Sequence, residues 1–479
     1  MKILFVYLNI NYGTPYAFDF HFGVASISAL LKSHNHNVLG MVYGNRTNIN
    51  ELLGKIEYFE PNIVAFSITT PQFSIAKEIM QKVKKNFSAP IIVAGGAHPT
   101  LCPEEVIKED SVDIICIGEG EFPMLELAEL MKQSKDCTHI KNLWLKNGQT
   151  VIRNDLRPLM QNLDSLPFLS RRIFNNEKTI AGFIMVSRGC PYSCAYCCNH
   201  ALREIYRGCG KYVRFRSIDN VIAEMKQLMK EYNITSLYFH DDILPLSMDW
   251  INNLCKIYKD EISLPFDCHV RPDLASKKLF EMLKDAGCQR VYMGIEHGDD
   301  YIRKTIMNRN ISRDEIVAAF RHAKDAGLET YAYNLIGLPE ENLDTIRATI
   351  RLNRIVNPTG TQATIFYPFP GTCLYKYCSE KNILPEKWGT NIFDDTIIEL
   401  RMLTRRQVKH YQRMFSFYVY CKINPIKAIL QLPEDNVIKK FFIFLLGVAS
   451  FLRIKSFLKY AGLSLLKHMA WMSRKGKFL

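Results

Sequence analysis

The sequence predicts an α/β protein: two successive modules of short apolar strands alternating with helices, then a helical, basic C-terminal region. Three observations carry the prediction. Apolar runs of strand length punctuate residues 1–135, a second such series opens at Gly182, and the stretch between them is poorer in apolar runs and holds Pro158 and Pro167. At 479 residues the chain is long for one core and suits two or three domains of ordinary size.

In the first module, residues 1–135, strands are expected over Lys2 to Leu8, Asn37 to Tyr43, Ile63 to Ile68, Ile91 to Ala94 and Ile114 to Ile117. The segments between them show helical spacing, as in Val24, Ile27, Leu30 and Leu31. This alternation argues a parallel sheet with helices on both faces. Ligands of open α/β sheets bind beyond the carboxyl ends of the strands. There the sequence supplies Gly13, the pair Gly95-Gly96 and the turn Gly118-Glu119-Gly120. No Gly-x-Gly-x-x-Gly follows the first strand, which argues against a dinucleotide.

Residues 136–180 read as a linker laid over the surface, because Pro158 and Pro167 disfavour helix before them and fit an extended crossing. The second module spans residues 181–385. Its strands are expected over Phe183 to Ser187, Ser236 to His240, Pro265 to Val270, Arg290 to Gly294, Glu329 to Ile336 and Gln362 to Phe366, with helices such as Ile218 to Tyr232 and Ser276 to Gly287 between them. In parallel barrels the active site is assembled from the loops at the strands' C-terminal ends. Residues 386–479 form the C-terminal region, with a helix expected over Leu400 to Tyr420.

One of those loops carries the most specific chemistry in the chain, Cys190-Pro-Tyr-Ser-Cys194-Ala-Tyr196-Cys197. Three thiolates at these gaps suit three irons of one 4Fe-4S cube and leave the fourth iron open, whereas an electron-carrying cube takes a fourth protein ligand. Zinc is the alternative, since Cys190, Cys194, Cys197, Cys198 and His200 lie within eleven residues. Zinc sites usually come as two separated pairs, and the nearest further donor is the lone Cys209. Cys198 reads as a buried neighbour, because adjacent cysteines rarely reach one cube in the right orientation.

Cys-x-x-x-Cys-x-x-Cys with the aromatic Tyr196 before its last cysteine resembles the signature of radical S-adenosylmethionine (SAM) enzymes. The resemblance implies that Cys190, Cys194 and Cys197 ligate a catalytic 4Fe-4S cluster and that SAM chelates the open iron. Reductive cleavage of SAM then gives a 5′-deoxyadenosyl radical. The six strand-helix units resemble the partial barrel of that family. In the family pattern, His240-Asp241-Asp242 presents acceptors to the methionyl amine, Arg271 pairs with the SAM carboxylate, and Glu296, in a Gly-x-Glu-x-Gly-like segment, holds an amine or ribose hydroxyl. The bland reading of each charged residue is a strand-end salt bridge. Gly337-Leu-Pro339-Glu340-Glu341 departs from the subgroup's Gly-Leu-Pro-Gly-Glu-Thr, with Glu340 and Asn342 replacing its glycine and threonine.

The first module looks like the cobalamin-binding domain that precedes the barrel in one large subgroup. The matching features are Gly95-Gly96-Ala97-His98-Pro99, Gly118-Glu119-Gly120-Glu121 and the helix start His21-Phe-Gly-Val-Ala. They imply cobalamin contacts at Gly95, Gly96, His98, Gly118 and Glu119, with glycine letting the backbone approach a flat ring closely. Asp19-Phe-His21-Phe-Gly23 is one residue short of the Asp-x-His-x-x-Gly cobalt-ligating motif. His21 is therefore read as opening the first helix, not as the lower cobalt ligand. The implied architecture is a Rossmann-like, flavodoxin-like sheet, then a partial (β/α)6 TIM-like barrel and a helical tail.

The charge is uneven. Of the net +13, nine positive charges lie in residues 436–479, which hold no Asp or Glu. They sit among Phe441, Phe442, Phe444, Leu445, Leu446 and Phe451, a mixture that suits a membrane surface more than a phosphate groove. The apolar run Phe441 to Leu452 is well short of the roughly 20 residues a spanning helix needs. An interfacial helix and a cap helix with snorkelling lysines stand side by side as readings. Fourteen cysteines are far below disulfide-scaffold density. They and the strand-like N-terminus are expected of a cytoplasmic protein, peripheral at the membrane if the tail binds lipid. The resemblance implies a cobalamin-dependent radical enzyme, most often a methyltransferase at an unactivated carbon. Its partners would be a small-molecule substrate, lipid-like if the tail meets a membrane, and a reduced donor such as flavodoxin or ferredoxin. No nucleic acid is expected. Ring formation of the anaerobic magnesium-protoporphyrin ester cyclase kind and a non-catalytic corrinoid-binding or metal-binding protein remain alternatives.

Overall fold

The computed structural model describes residues 1–9, 20–45, 47–174, 182–244, 246–385, 388, 396–433, 436–441 and 443. Gly13, Asp19 and nearly all of the basic tail lie outside the described residues.

The first sheet has seven strands: β1 (Lys2–Asn9), β2 (Asn37–Gly44), β3 (Ile63–Ser67), β4 (Ile91–Gly95), β5 (Ile114–Cys116), β6 (Leu143–Asn147) and β7 (Thr150–Arg153), in the order β2-β1-β3-β4-β5-β6-β7. The first five pair in parallel, as the alternation with helices requires. Its two faces bury separate apolar clusters, one around Leu4, Val6, Phe66 and Ile92, the other around Ile3, Phe5, Ala65 and Val93, as a strand's period of two dictates. The last two strands differ from expectation. Part of the stretch read as a surface linker is an antiparallel hairpin, β6–β7, that continues this sheet through β5. Its signal was present in Asn147-Gly148, a turn pair flanked by strand residues, with Gly148 at φ +60°.

The second sheet has six parallel strands: β8 (Phe183–Ile184), β11 (Leu237–Phe239), β12 (Phe266–His269), β13 (Cys288–Glu296), β14 (Glu329–Ile336) and β15 (Gly360–Ile365), neighbours in chain order. Between β8 and β11 a two-stranded ribbon pairs β9 (Ser187–Arg188) with β10 (Arg214–Phe215). Each β-to-α loop ends on a capping side chain that accepts from the new helix's first turn: Ser217, Ser247, Ser276, Ser312, Asn342 and Thr372. One face of the sheet packs on these helices through Leu237, Phe239, Cys268, Val291, Met293 and Ala332. The other face carries Tyr238, His269, Tyr292 and Tyr333, whose rings contact one another. The expected C-terminal helix is present as Arg405–Tyr420, and Val408, Phe415 and Val419 bury against Ile346, Ala363 and Ile365. No helix among the described residues is long and apolar enough to cross a membrane.

Candidate active site

The cysteine loop follows β9 and is held by hydrogen bonds with segments of the second module distant in sequence. Ala195 N donates to Met307 O at 2.9 Å, Leu374 N donates to Ala195 O at 2.9 Å, and Asn308 Nδ2 donates to Ser193 O at 2.8 Å. Cys190 and Cys194 are buried and Cys197 is half-buried. Burial pushes the Cys190 thiol up to about 11, and a bound cation is what favours the thiolate at such a position. Among the described residues the only His, Cys, Asp and Glu atoms that converge in threes within 4.8 Å are those of His98, Cys102 and Glu105. The sulfurs of Cys190, Cys194 and Cys197 do not all lie within 4.8 Å of one another. The spacing of the three cysteines along the chain and an all-thiol donor set fit an iron-sulfur cube.

Two guanidinium groups converge on Cys194. Arg271 Nη1 lies 3.5 Å from its Sγ and Arg309 Nη1 3.9 Å. Arg271 also stacks on Tyr192 at 3.7 Å and pairs with Asp273 at 2.8 Å, so its charge is directed at the loop. Arg309 is buried, donates from Nη2 to Gly294 O at 2.8 Å, and its Nε has no hydrogen-bond partner among the described residues. Sequence reasoning missed Arg309, which lies 115 residues from Cys194 and in no motif.

Glu296 ends β13 at φ +61°, a left-handed conformation that costs a non-glycine residue about 1–3 kcal/mol and tends to persist at functional sites. The register of β13 on β14 shifts between Gly294 and Glu296, and this turns the carboxylate back over the strand. A side chain at 294 would displace the Glu296 carboxylate and the Arg309 guanidinium, which both close on this glycine. Burial raises the Glu296 carboxyl, against Arg309 and a hydrogen bond from Tyr196 of the cysteine motif. Glu296, Tyr196, Arg309 and Cys194 thus form one cluster.

The two aspartates after β11 divide their roles. Asp241 is buried, and its carboxylate accepts from Val186 N, Ser187 N and Ser187 Oγ, at 3.1, 2.6 and 2.5 Å. Burial nonetheless holds its carboxyl up at about 6. These bonds fix the strand that leads into the cysteine loop, and Asp241 also borders the cavity that Asp242 lines. Asp242 accepts from Asn199 Nδ2 at 3.0 Å. It lines a cavity of about 510 Å³ together with His240, Gly189 and Leu202.

The opposite wall of that cavity is the carboxyl edge of the first sheet: Ser67, Gly95, Gly96, Gly118, Glu119 and Gly120. Gly118 has φ +75°, and a Cβ on it would lie 1.6 Å from Tyr206 Oη, so the turn closes only with glycine. Glu119 is tied to the second module by Arg214 at 2.7 Å and Arg188 at 3.2 Å. Glu121 pairs with Arg188 at 2.6 Å and accepts from Ser26 Oγ at 2.7 Å. His21 also lines the cavity and caps the first helix as expected: its Nδ1 accepts from Val24 N at 3.1 Å, its Nε2 is 3.0 Å from Ser67 Oγ, and burial lowers it to about 4. His98 departs from expectation. It is 2% exposed, stacks on Phe73, and lies outside the cavity lining, because the helix Ala97–Leu101 turns Ala97 and Thr100 toward the cavity and His98 away from it.

Known proteins show the same layout. The B12 binding domain family matches residues 14–128 and the radical SAM superfamily residues 184–352. An uncharacterised methyltransferase of Pyrococcus horikoshii is 28% identical over 413 residues, 84% of this chain and 88% of the relative. An anaerobic magnesium-protoporphyrin IX monomethyl ester cyclase of Rubrivivax gelatinosus is 24% identical over 492 residues, 96% of this chain and 82% of the relative. Among solved structures, the cobalamin-dependent SAM radical enzyme OxsB, with aqua-cobalamin and SAM bound, superposes with a TM-score of 0.68 at 16% identity. It covers 99% of this chain and 75% of that one, a likeness of fold. The chain carries a B12 binding domain followed by a radical SAM domain, the order of domains that the comparisons support.

Proposed function

We propose that the chain is a cobalamin-dependent radical SAM methyltransferase acting on an unactivated carbon of a small, hydrophobic substrate. The observation that carries this reading is the shared cavity. Its one wall is the glycine edge of the B12 binding domain, and its other wall includes Gly189, just before Cys190, and Asp242. Cys190, Cys194 and Cys197 would hold the 4Fe-4S cluster, and the edge formed by Gly95, Gly96, Gly118 and Glu119 would face cobalamin. When bound, the cluster with SAM supplies radical chemistry and cobalamin a transferable methyl group.

The chain's own groups prepare that site. Arg271 and Arg309 offset negative charge at Cys194, and the lone Nε of Arg309 offers a donor for an acceptor at the site. Glu296, raised by burial and steadied by Tyr196, is placed to accept from an ammonium or hydroxyl. Phe22, Ile27 and Met185 give the cavity apolar lining that excludes water. A reduced flavodoxin or ferredoxin would supply electrons. The basic apolar tail, a feature of sequence alone, supports a lipid-like substrate or peripheral membrane contact.

Replacing Cys190, Cys194 or Cys197 by Ala tests the assignment. SAM cleavage should vanish while corrinoid binding to residues 1–135 persists; cleavage at the wild-type rate would overturn the cluster assignment. A second reading, radical ring formation without methyl transfer, is favoured by the cyclase relative, which spans 96% of the chain. The presence of S-adenosylhomocysteine among the products distinguishes the two.

A further inference from the structure

We propose that His98, Cys102 and Glu105 bind one divalent cation of the zinc type, at a site behind the cavity wall and distinct from the cysteine loop. Their ligand atoms all lie within 4.8 Å of one another, and His98 Nε2 stands 3.8 Å from Glu105 Oε2. A tetrahedral ion bound at 2.0–2.3 Å sets its donors about 3.3–3.8 Å apart, so the trio needs only a slight contraction. Glu105, whose side chain is 56% exposed, is free to make it.

The local sequence builds the trio. Cys102 N donates to His98 O at 2.8 Å, one helical turn, which sets the two side chains on the same face. Pro103 then starts a second short helix, Pro103–Ile107, and brings Glu105 round in its first turn. His-x3-Cys-x2-Glu is thus folded into a corner with its three donors pointing together.

The independent sign of a ligand is His98 itself. It is 2% exposed, yet its Nε2 has no hydrogen-bond partner among the described residues. Its other nitrogen, Nδ1, lies 3.3 Å from Thr70 Oγ1, and Phe73 packs on the ring at 4.3 Å between centroids. Metal-bound histidines are oriented in this way: one ring nitrogen donates its N–H to a partner, and the other turns its lone pair to the metal. Imidazole, thiolate and carboxylate together select zinc or a similar borderline cation over magnesium or calcium, which prefer oxygen donors. Three protein ligands leave a fourth position for water on the Glu105 side.

The ion would brace the short helix Ala97–Leu101, which carries Ala97 and Thr100 into the cavity wall, against its neighbour Pro103–Ile107. It would also sit near the seam between domains, where a Cβ on Gly371 would come within 3.2 Å of Leu101. The proposal does not depend on the proposed function.

The test uses the full chain, anaerobic, with its cluster reconstituted so that Cys190, Cys194 and Cys197 are occupied. Equilibrium dialysis against zinc with elemental analysis should find one zinc per chain. Because removing even an orienting partner of a ligand costs roughly 10–100-fold in affinity, Cys102→Ser and Glu105→Gln should each weaken zinc binding at least about tenfold. His98→Gln should do so more strongly. His98 is buried and its variant risks misfolding, so the two more accessible positions carry the test. Zinc should also protect Cys102 from alkylation, read by mass spectrometry. No bound zinc, or equal zinc binding in the wild type and the Cys102→Ser variant, would overturn the proposal.

Discussion

Arg188 stands two residues before Cys190 and pairs with Glu121 of the first domain at 2.6 Å. The position of the cysteine loop is thereby fixed to the glycine turn that forms the facing wall of the cavity. Arg188 Nη1 reaches Glu119 at 3.2 Å, so one guanidinium answers two carboxylates. Burial works against the charge on Glu121, but Arg188 outweighs it and holds the carboxyl below its usual range. The two domains are registered by charge at the point where both cofactors would meet.

Breaking this pair should therefore act on stability and not only on catalysis. Arg188→Ala leaves Glu121 buried without its cation, held by Ser26 and a backbone amide, and stranded buried charges cost about 3–5 kcal/mol. Thermal unfolding should show a clear fall in Tm, with a smaller fall for Glu121→Gln. An unchanged Tm in Arg188→Ala would mean the pair is not a structural tie.

Glu296 is expected to act on SAM. Glu296→Ala should weaken SAM binding at least about tenfold, the loss of one hydrogen bond to a charged group, while iron content stays at the wild-type level. Glu296→Gln, which keeps an acceptor for Tyr196, should lose less. SAM affinity unchanged in the Ala variant would remove Glu296 from the site.

A pH dependence follows from His21, lowered by burial from 6.5 to about 4. As pH falls below 6.5 the unfolded chain binds the proton first, so stability falls between about pH 6.5 and pH 4, by up to about 3 kcal/mol. His21→Asn keeps a good helix cap and removes this term. The fall in Tm between about pH 7 and pH 4.5 should shrink in the variant; an unaltered slope would show that His21 does not titrate with folding.

The tail makes its own prediction. Deleting residues 436–479 removes nine positive charges and no negative ones, and should reduce association with liposomes, most steeply with anionic lipid at low salt. Equal binding by the full and shortened chains would favour the cap-helix reading.

Much of this architecture was legible because it rests on periodicity and spacing. The strands of both sheets were marked by apolar runs, and the cysteine loop by the gaps between Cys190, Cys194 and Cys197. Less legible were features that depend on long-range pairing. The hairpin β6–β7 was hidden in a stretch with mixed polarity, although Asn147-Gly148 marked its turn. Arg309 had no local signal, since its importance comes from reaching Cys194 and Gly294 across the barrel. Asp241 and His98 were expected, from their strand-end loops, to contact SAM and cobalamin. A sequence does not show which way a loop turns a side chain, and here one is bound to backbone amides and the other faces away from the cavity.

The most direct test is anaerobic reconstitution with iron, sulfide and hydroxocobalamin, followed by reduction in the presence of SAM and assay of both nucleoside products. A methyltransferase of this class should yield 5′-deoxyadenosine and S-adenosylhomocysteine together. A chain that binds cluster and corrinoid yet cleaves no SAM would contradict the account, and deoxyadenosine alone would replace methyl transfer with the ring-forming reading.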